Sequence, residues 1–346
     1  MSVDADSHQD DPSLLRIETG YHFEKYNFFS GDNFLDYHVY DNIPRWYRRI
    51  EELLRFDMYL AFRVKKIANN YDLIWAKSEK VAIPLSILGI NQPLVVNCHY
   101  PEEPFRAIFL KLTGIAKMWS GIGFVSLESK EFLEKKLGIN SSNLFQFIAA
   151  RIDKYFPLKN SDNGKGTILS IGVAKRDYET LISALTDLDG YETEIFISSK
   201  YGDKYKGDRR RAIPAWIHFP PRISDEELIL RYQMATFVVI PLKPSSHTGA
   251  GVTSVFEASS SGKAVIATNT GGMKSYIEDG ETGILVPPND VAAMRKAIKT
   301  LWENPQLSKK MGLAGRKLME EKFNNKIIRK KIDEFLRDLY LKSISE

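Results

Sequence analysis

The sequence has one cysteine, Cys98, among its 346 residues. A single cysteine cannot form an internal disulfide and offers no cysteine cluster to zinc. No apolar run approaches the roughly 20 residues that a membrane-spanning helix needs. The first residues are acidic and polar, whereas a secretory signal peptide begins basic and continues apolar. These absences argue against disulfide-rich and membrane-spanning classes, and we expect a cytoplasmic protein.

A strong excess of charge is also missing, since the net charge is +4 in a chain with 27% charged residues. The exception is residues 45–66, where seven basic residues stand against three acidic ones and aromatic residues lie between them. A basic, aromatic helix can lie on an anionic membrane surface, and a peripheral membrane contact through this segment is one interpretation. An amphipathic helix with its apolar face in the core is the commoner one. No nucleic-acid-binding motif accompanies the charge, so we expect no nucleic-acid partner.

Short apolar runs alternate with helical patterns along most of the chain, which is typical of a parallel, doubly wound sheet. The runs are 71–76, 93–98, 122–126 and 145–149 in the first half, and 167–172, 191–198, 216–219, 237–240 and 264–268 in the second. One helix is predicted over 105–119. The polar, turn-rich residues 159–166 separate the halves. The length suits two domains, each with its own core.

The most informative stretch runs from 241 to 288. The apolar run 237–240 precedes it, and a glycine-bearing loop leads into a helix predicted over about 252–261. A strand, a glycine loop and a helix N-terminus can form an anion site, because free N–H groups and the helix dipole favour negative charge. Glu257, about one and a half turns into this helix, can reach hydroxyl groups of the anion's carrier. The alternative is a plain βαβ unit with glycine turns and a solvated Glu257.

Four motifs of this stretch occur in a recognisable order. They are Phe256-Glu257-Ala258, the run 262–268, the pair Gly271-Gly272, and the run 279–290. In this order they resemble the nucleotide-sugar-binding half of retaining GT-B glycosyltransferases of family 4. The resemblance is dense from 168 to 323 and thin before 93.

The resemblance implies an α/β GT-B fold, with two Rossmann-like doubly wound domains facing across a cleft. We expect a disordered tail at 1–13, an acceptor-side domain at 14–153, a nucleotide-sugar-binding domain at 154–323, and a helix at 324–346 that packs back on the first domain. The implied reaction moves a sugar from a nucleoside-diphosphate sugar to an unknown acceptor, with retention. It needs no cofactor and no obligatory metal.

The resemblance also assigns residues to the donor side. Glu257 matches the glutamate that holds the ribose hydroxyls. The backbone N–H groups of Val252 and Thr253, which follow Gly251, and the hydroxyls of Thr253 and Ser254 would meet the distal phosphate.

Cations are expected near the diphosphate as well. Lys175 and Arg176 lie in the loop after the first strand of the second domain, where the family places two cations. Lys243, just past a later strand, is a weaker candidate for the same role.

In the first domain the resemblance is positional. His99 follows a predicted strand, where ligands of open α/β sheets bind, and it matches a family group that contacts the donor sugar or acceptor. It is therefore the catalytic candidate. Glu102 and Glu103, in the same loop, are candidates for the acceptor side. Cys98 is interpreted as a buried structural residue.

Two departures from the family pattern keep other functions open. Gly249 stands eight positions before Glu257, where the first of the family's paired glutamates is expected, and His247 and Thr248 are the nearest polar residues. The glycine-rich turn expected near the start of the first domain is also absent from the sequence. A non-catalytic GT-B-like binding or partner subunit is one alternative, and a sugar-nucleotide epimerase on the same fold is another.

Overall fold

The structure, a computed structural model, describes residues 14–17, 34–37, 49, 51, 56–150, 152, 166–197, 213–221, 223–244 and 248–345. The chain divides into two compact units. The first consists of Met1–Phe147 with Arg329–Glu346, and the second of Ile148–Ile328. The expected tail at 1–13, residues 159–165 of the linker, His247, and residues 45–48, 50 and 52–55 of the basic segment lie outside the described residues.

The first unit contains a six-stranded parallel sheet. Its strands are β1 (Leu14–Ile17), β2 (Phe34–Tyr37), β3 (Leu73–Ala76), β4 (Leu94–Cys98), β5 (Gly121–Phe124) and β6 (Leu144–Gln146). The order is β2-β1-β3-β4-β5-β6, so the direction of winding reverses between β1 and β3. Every residue of β3 and β4 is buried, as expected for parallel strands covered on both faces.

Within the described residues 56–150, four α-helices accompany this sheet. They are α1 (Met58–Ile67), α2 (Glu79–Leu88), α3 (Pro104–Thr113) and α4 (Leu127–Leu137). The prediction of one helix over 105–119 is wrong in extent, because α3 ends at Gly114, whose N–H bonds to the Leu110 carbonyl at 3.0 Å in a left-handed C-cap. A separate 3-10 turn, Ile115–Met118, follows.

Helix α1 is the described part of the basic segment. It buries Leu60, Ala61 and Val64, as an amphipathic helix with its apolar face in the core does. Asp57, at the N-cap of α1, makes no side-chain capping hydrogen bond. Burial raises the pKa of Asp57 to about 6; Lys80 opposes this shift, and nearby Glu51 adds to it.

The raised pKa of Asp57 makes stability depend on pH. The folded state binds the proton more tightly than the unfolded state, so the stabilisation is complete below the unfolded pKa of about 4 and is lost as the pH rises through about 6. We expect Asp57→Asn, which cannot ionise, to be more stable than the parent chain at pH 7 by about 3 kcal/mol, since each unit of pKa shift corresponds to about 1.4 kcal/mol. Urea titrations from pH 4 to 7 measure the difference, and an advantage that does not grow with pH contradicts the assignment.

The second unit contains another six-stranded parallel sheet. Its strands are β7 (Ile168–Ile171), β8 (Thr193–Phe196), β9 (Ile217–His218), β10 (Phe237–Ile240), β11 (Ala264–Thr268) and β12 (Gly283–Val286). The order β12-β11-β10-β7-β8-β9 places the reversal between β7 and β10. Both predicted doubly wound parallel sheets are therefore confirmed.

Helices of the second unit alternate with its strands. They are α5 (Tyr178–Leu185), α6 (Asp225–Met234), α7 (Val252–Ser260), α8 (Val291–Glu303) and α9 (Pro305–Leu318), and a π-helical turn, Met319–Phe323, follows α9. The core between sheet and helices includes Phe237, Val239 and Ile266, all fully buried. Strands β10 and β11, which are apolar at every position except Thr268, are buried at every position, as expected for parallel strands that are covered on both faces.

The last helix, α10, spans Asn325–Ser345. Its residues from Arg329 onward belong to the first unit. There the ring of Phe335 packs on Phe145, next to β5, with 4.8 Å between the ring centroids.

Candidate functional site

The second sheet reverses its winding between β7 and β10, and open α/β sheets bind ligands beyond the carboxyl ends of their strands at such a point. The loops that follow these two strands are joined by backbone hydrogen bonds. Asp177 N–H donates to the Pro241 carbonyl at 2.9 Å, and Lys243 N–H donates to the Lys175 carbonyl at 2.8 Å. The predicted cations Lys175 and Lys243 are therefore neighbours at this edge, and both are exposed.

Arg176, the other predicted cation, is buried and points inward. Its guanidinium donates to the Ile171 carbonyl through Nε (3.1 Å) and Nη2 (2.9 Å), and to the Ala174 carbonyl through Nη1 (3.1 Å). Nη2 also lies 2.9 Å from Ser254 Oγ, which joins the end of β7 to α7. Burial lowers the pKa of Arg176, and Tyr178, Tyr232 and Glu257 counteract that shift.

Gly172 has φ +121° and faces the same guanidinium. A Cβ atom at this position would collide with the Arg176 side chain, so only glycine leaves room for it. The geometry assigns Arg176 the task of holding the loop and helix together. A direct contact with a diphosphate stays a prediction for Arg176 and for Lys175.

Helix α7 begins without a side-chain cap. Its N-cap, Gly251, has φ +85°, a backbone conformation that favours glycine. A Cβ atom there would also lie 3.1 Å from Ile240 Cγ2, so both the backbone and the packing disfavour a larger residue. Within the described part of the chain, no group accepts a hydrogen bond from the N–H of Thr253 or Ser254. Thr253 is exposed. Uncapped N–H groups at a helix N-terminus suit an anion such as phosphate.

The hydroxyl of Ser254 has a different environment from the one the sequence predicted. It accepts the hydrogen bond from Arg176 and lies 3.4 Å from the Ile171 carbonyl, in a buried position. Thr253 therefore has the more accessible hydroxyl for a phosphate. The predicted phosphate contacts of Gly251, Val252, Thr253 and Ser254 stay predictions.

Glu257 lies half-buried on α7, and Tyr232 on α6 donates its hydroxyl proton to Glu257 Oε2 at 2.8 Å. Tyr232 is fully buried. Burial, together with the neighbouring Glu257 carboxylate, raises the pKa of Tyr232 well above its usual value, so the phenol stays protonated and donates. The sequence analysis missed Tyr232, because nothing in the spacing of two separate helices predicts this contact.

The family-like motif at 279–290 consists of a turn, strand β12 and the residues that lead into α8. Asp279 Oδ1 accepts the Leu285 N–H at 2.8 Å, and Thr282 Oγ1 accepts the Glu278 N–H at 2.9 Å. The glycine pair is closer to the candidate site, since Gly272 N–H donates to the Thr248 carbonyl at 3.2 Å, beside Gly249. The motif therefore contributes structure, and the glycine pair shapes the loop before α7.

His99, in the first unit, follows β4 as predicted. Its Nε2 lies 2.9 Å from the Lys77 carbonyl, and its ring packs edge-to-face on Phe147 with 5.0 Å between centroids. Because a carbonyl only accepts hydrogen bonds, Nε2 carries the proton, and in the neutral ring Nδ1 is the acceptor. A catalytic role for His99 stays a prediction.

The loop after His99 depends on Glu79, which the sequence analysis did not select. Glu79 is buried, accepts the backbone N–H groups of His99 (3.2 Å) and Tyr100 (3.3 Å), and forms an ion pair with Arg106. Acidic residues are common in the first turn of a helix, where they interact with the helix dipole. The sequence position of Glu79 therefore did not indicate its role in the loop after His99.

The two acceptor-side candidates have structural partners. Glu103 caps α3, accepting the Arg106 N–H at 2.9 Å, and Glu102 Oε1 accepts the Ser129 hydroxyl at 2.9 Å. Their contact with an acceptor stays a prediction. Cys98 is buried at the end of β4, as expected for a structural residue.

The described residues contain neither a cluster of metal-ligating side chains nor a membrane-spanning helix. No group of three or more His, Cys, Asp and Glu side chains in the described ranges could hold a metal ion. No described helix is both long enough and apolar enough to cross a membrane.

Residues 152–318 match the family model of glycosyl transferases group 1. This range covers the second unit from just after its start to the end of α9, including β7, β10 and α7. The donor-side candidates therefore all lie in the matched range.

Curated proteins similar to the chain are glycosyltransferases. The D-rhamnosyltransferase WbpZ of Pseudomonas aeruginosa is 38% identical over 97 residues, which span 28% of this chain and 25% of that protein. A GDP-mannose-dependent alpha-(1-6)-phosphatidylinositol monomannoside mannosyltransferase of Mycolicibacterium smegmatis is 29% identical over 74% of each chain. The chain spans only 25% of the length of WbpZ and 22% of the length of a similar D-inositol 3-phosphate glycosyltransferase of Streptomyces avermitilis.

Solved structures extend the likeness to the whole fold. Anabaena HepE in complex with UDP-glucose is 16% identical, with a TM-score of 0.72 over 95% of this chain and 100% of that one. The sucrose-phosphate synthase of Thermosynechococcus elongatus is 19% identical, with a TM-score of 0.69 over 89% and 84%. The fold is therefore GT-B, with two Rossmann-like units, as the sequence predicted.

Proposed function

We propose that this chain is a retaining glycosyltransferase of family 4 that transfers a sugar from a nucleoside-diphosphate sugar to an acceptor. The observation that carries the proposal is the arrangement at the reversal of the second sheet. There the exposed Lys175 and Lys243 lie on paired loops at the carboxyl ends of β7 and β10, and α7 brings an uncapped N-terminus and the carboxylate of Glu257, oriented by Tyr232. The match of 152–318 to glycosyl transferases group 1 and the glycosyltransferase relatives support the same activity.

Each side chain has a distinct task in this proposal. Glu257 holds the ribose hydroxyls, since a carboxylate accepts two O–H groups. The N–H groups at the start of α7 and the Thr253 hydroxyl hold the distal phosphate. Lys175 and Lys243 offset the charge that develops on the leaving diphosphate. His99, in the other unit, contacts the donor sugar or the acceptor.

The chemical step follows from these tasks. The acceptor hydroxyl attacks the face of the sugar that the diphosphate leaves, and the departing phosphate takes its proton. This route needs no pair of catalytic carboxylates and no obligatory metal, because cationic side chains and helix N–H groups stabilise the leaving group. The donor is a nucleoside-diphosphate sugar, in keeping with the UDP complexes of similar structures and the GDP-mannose dependence of one relative.

Gly249 favours a second candidate function, a non-catalytic nucleotide-binding subunit. It stands where the family's first glutamate is expected, so a carboxylate toward the donor sugar is missing from that position. Such a subunit would bind nucleotide without turning over a donor. A clear separation between the two functions requires binding and turnover to be measured on the same preparation.

Nucleotide binding is the first experiment. We expect one of UDP, GDP, ADP, TDP and CMP to raise the thermal stability of the full chain, with or without magnesium. Millimolar nucleotide at a micromolar site stabilises the native state by about 4 kcal/mol. No shift with any nucleotide contradicts the donor site. If a nucleotide stabilises the chain but no acceptor ever receives or releases its sugar, the chain is the non-catalytic subunit. Conversion of the sugar without an acceptor identifies an epimerase.

A further inference from the structure

Helix α3 presents an apolar face to solvent in the first unit. Phe105, Ile108 and Leu112 are 57%, 61% and 81% exposed, and Met118, on the 3-10 turn that follows, is 65% exposed. At 100° per residue, the first three lie within an arc of roughly 60°. Leu110, on the opposite side of the helix, is buried and provides its contact with the core.

The charged residues within α3 and the 3-10 turn that follows it are all positive. Lys111 and Lys117 are exposed, and neither forms an ion pair with another described residue. The sequence from 104 to 126 contains no Asp or Glu. The guanidinium of Arg106 is engaged by Glu79, so the two lysines are the charges available beside the apolar side chains. We call Phe105, Ile108, Leu112 and Met118, together with Lys111 and Lys117, the α3 face.

Other surface helices of the same chain expose a different pattern. Several of their exposed lysines form pairs with a glutamate four residues away, as is common on surfaces that face water. Examples are Lys135 with Glu131 on α4, Lys299 with Glu303 on α8 and Lys330 with Glu334 on α10. The α3 face combines large exposed apolar side chains with two lysines that have no glutamate four residues away, so its composition suits a partner that is both apolar and anionic.

We propose that the α3 face docks the protein on an anionic lipid surface. A helix that lies in the membrane interface inserts its apolar side chains at the headgroup–acyl boundary, while lysines at its flank reach lipid phosphates. The α3 face supplies both the apolar side chains and the lysines, and none of its residues belongs to the basic segment. The proposal is independent of the transferase activity, because none of these side chains belongs to the candidate donor site.

Co-sedimentation of the full chain with vesicles tests the docking. We expect binding to phosphatidylcholine vesicles that contain phosphatidylglycerol, much weaker binding to phosphatidylcholine alone, and weakening by salt. Lys111→Gln with Lys117→Gln should lower the partition coefficient roughly 30-fold, since each lysine near an anionic surface contributes about 1 kcal/mol. Failure of the parent chain to bind the anionic vesicles overturns the proposal.

The apolar contribution needs its own variant and control. Ile108→Asp with Leu112→Asp should abolish vesicle binding without lowering thermal stability, because both side chains are exposed. Leu313→Asp is the matched control, since Leu313 is an exposed leucine on α9 in the other unit, and it should bind like the parent. Equal binding by all three proteins refutes the α3 face. A dimer in light scattering that Ile108→Asp with Leu112→Asp dissociates would instead make the face a contact between two copies, which also overturns lipid docking.

Discussion

Replacing Arg176 by methionine is expected to lower the free energy of unfolding by about 3 kcal/mol. Methionine keeps much of the aliphatic volume but leaves the Ile171 carbonyl and the buried Ser254 hydroxyl without the guanidinium donor, whereas the Ala174 carbonyl, in an exposed residue, can bond to water instead. Each such acceptor left unsatisfied costs about 1–3 kcal/mol. Relief of the desolvation of the guanidinium offsets only part of that loss, because the buried cation already has favourable neighbours.

Chemical denaturation of Arg176→Met measures this loss, and Lys175→Met is the matched control. Lys175 is exposed, so its replacement should change stability by no more than about 0.5 kcal/mol. Nucleotide binding should respond differently from stability. Under the proposed function the exposed Lys175 ammonium faces the diphosphate, so Lys175→Met should lower the affinity for nucleotide. Equal stabilities for Arg176→Met and the parent chain would show that Arg176 is not the tie between β7 and α7.

The layered sheets could be predicted from sequence because burial on both faces leaves a simple pattern. Runs such as 237–240 and 264–268 are apolar at almost every position and became β10 and β11 with all residues buried. Glycine loops between them placed the start of α7 at the carboxyl end of β10. The strand order, and hence the neighbourhood of Lys175 and Lys243, could not be predicted from these local patterns.

Contacts between elements could not be predicted in the same way. Arg176 and Lys175 are adjacent in sequence and have the same charge, yet one is buried against backbone carbonyls and the other is exposed. The direction of each side chain depends on how the loop pairs with residues 241–243, which is a property of the folded chain. Helix α3 shows the same limit, because apolar residues lie on two of its faces and the sequence does not say which one meets the core.

Glu257→Ala is expected to weaken nucleotide binding by about 1.5–3 kcal/mol, the range for hydrogen bonds to a charged group. That range corresponds to a rise in Kd of roughly 10- to 150-fold. Isothermal titration with the nucleotide that stabilises the parent chain measures it. Glu257→Gln is the matched control for size, since its side-chain carbonyl still accepts from Tyr232, and we expect it to bind with intermediate affinity. A folded Glu257→Ala chain with unchanged Kd removes Glu257 from the site.

The contact between Tyr232 and Glu257 makes a second expectation possible. If the phenol orients the carboxylate, Tyr232→Phe should weaken nucleotide binding by about 0.5–1.5 kcal/mol, the net value of one hydrogen bond, although the buried ring itself is out of reach of a ligand. The same substitution in the Glu257→Ala background should leave Kd unchanged, because residues that act through one another are not additive. Additive losses would mean that Tyr232 affects binding through the general stability of α6, and a positioning role through Glu257 would then be wrong. Non-additive losses would identify the hydrogen bond between α6 and α7 as the feature that fixes the ribose-binding carboxylate.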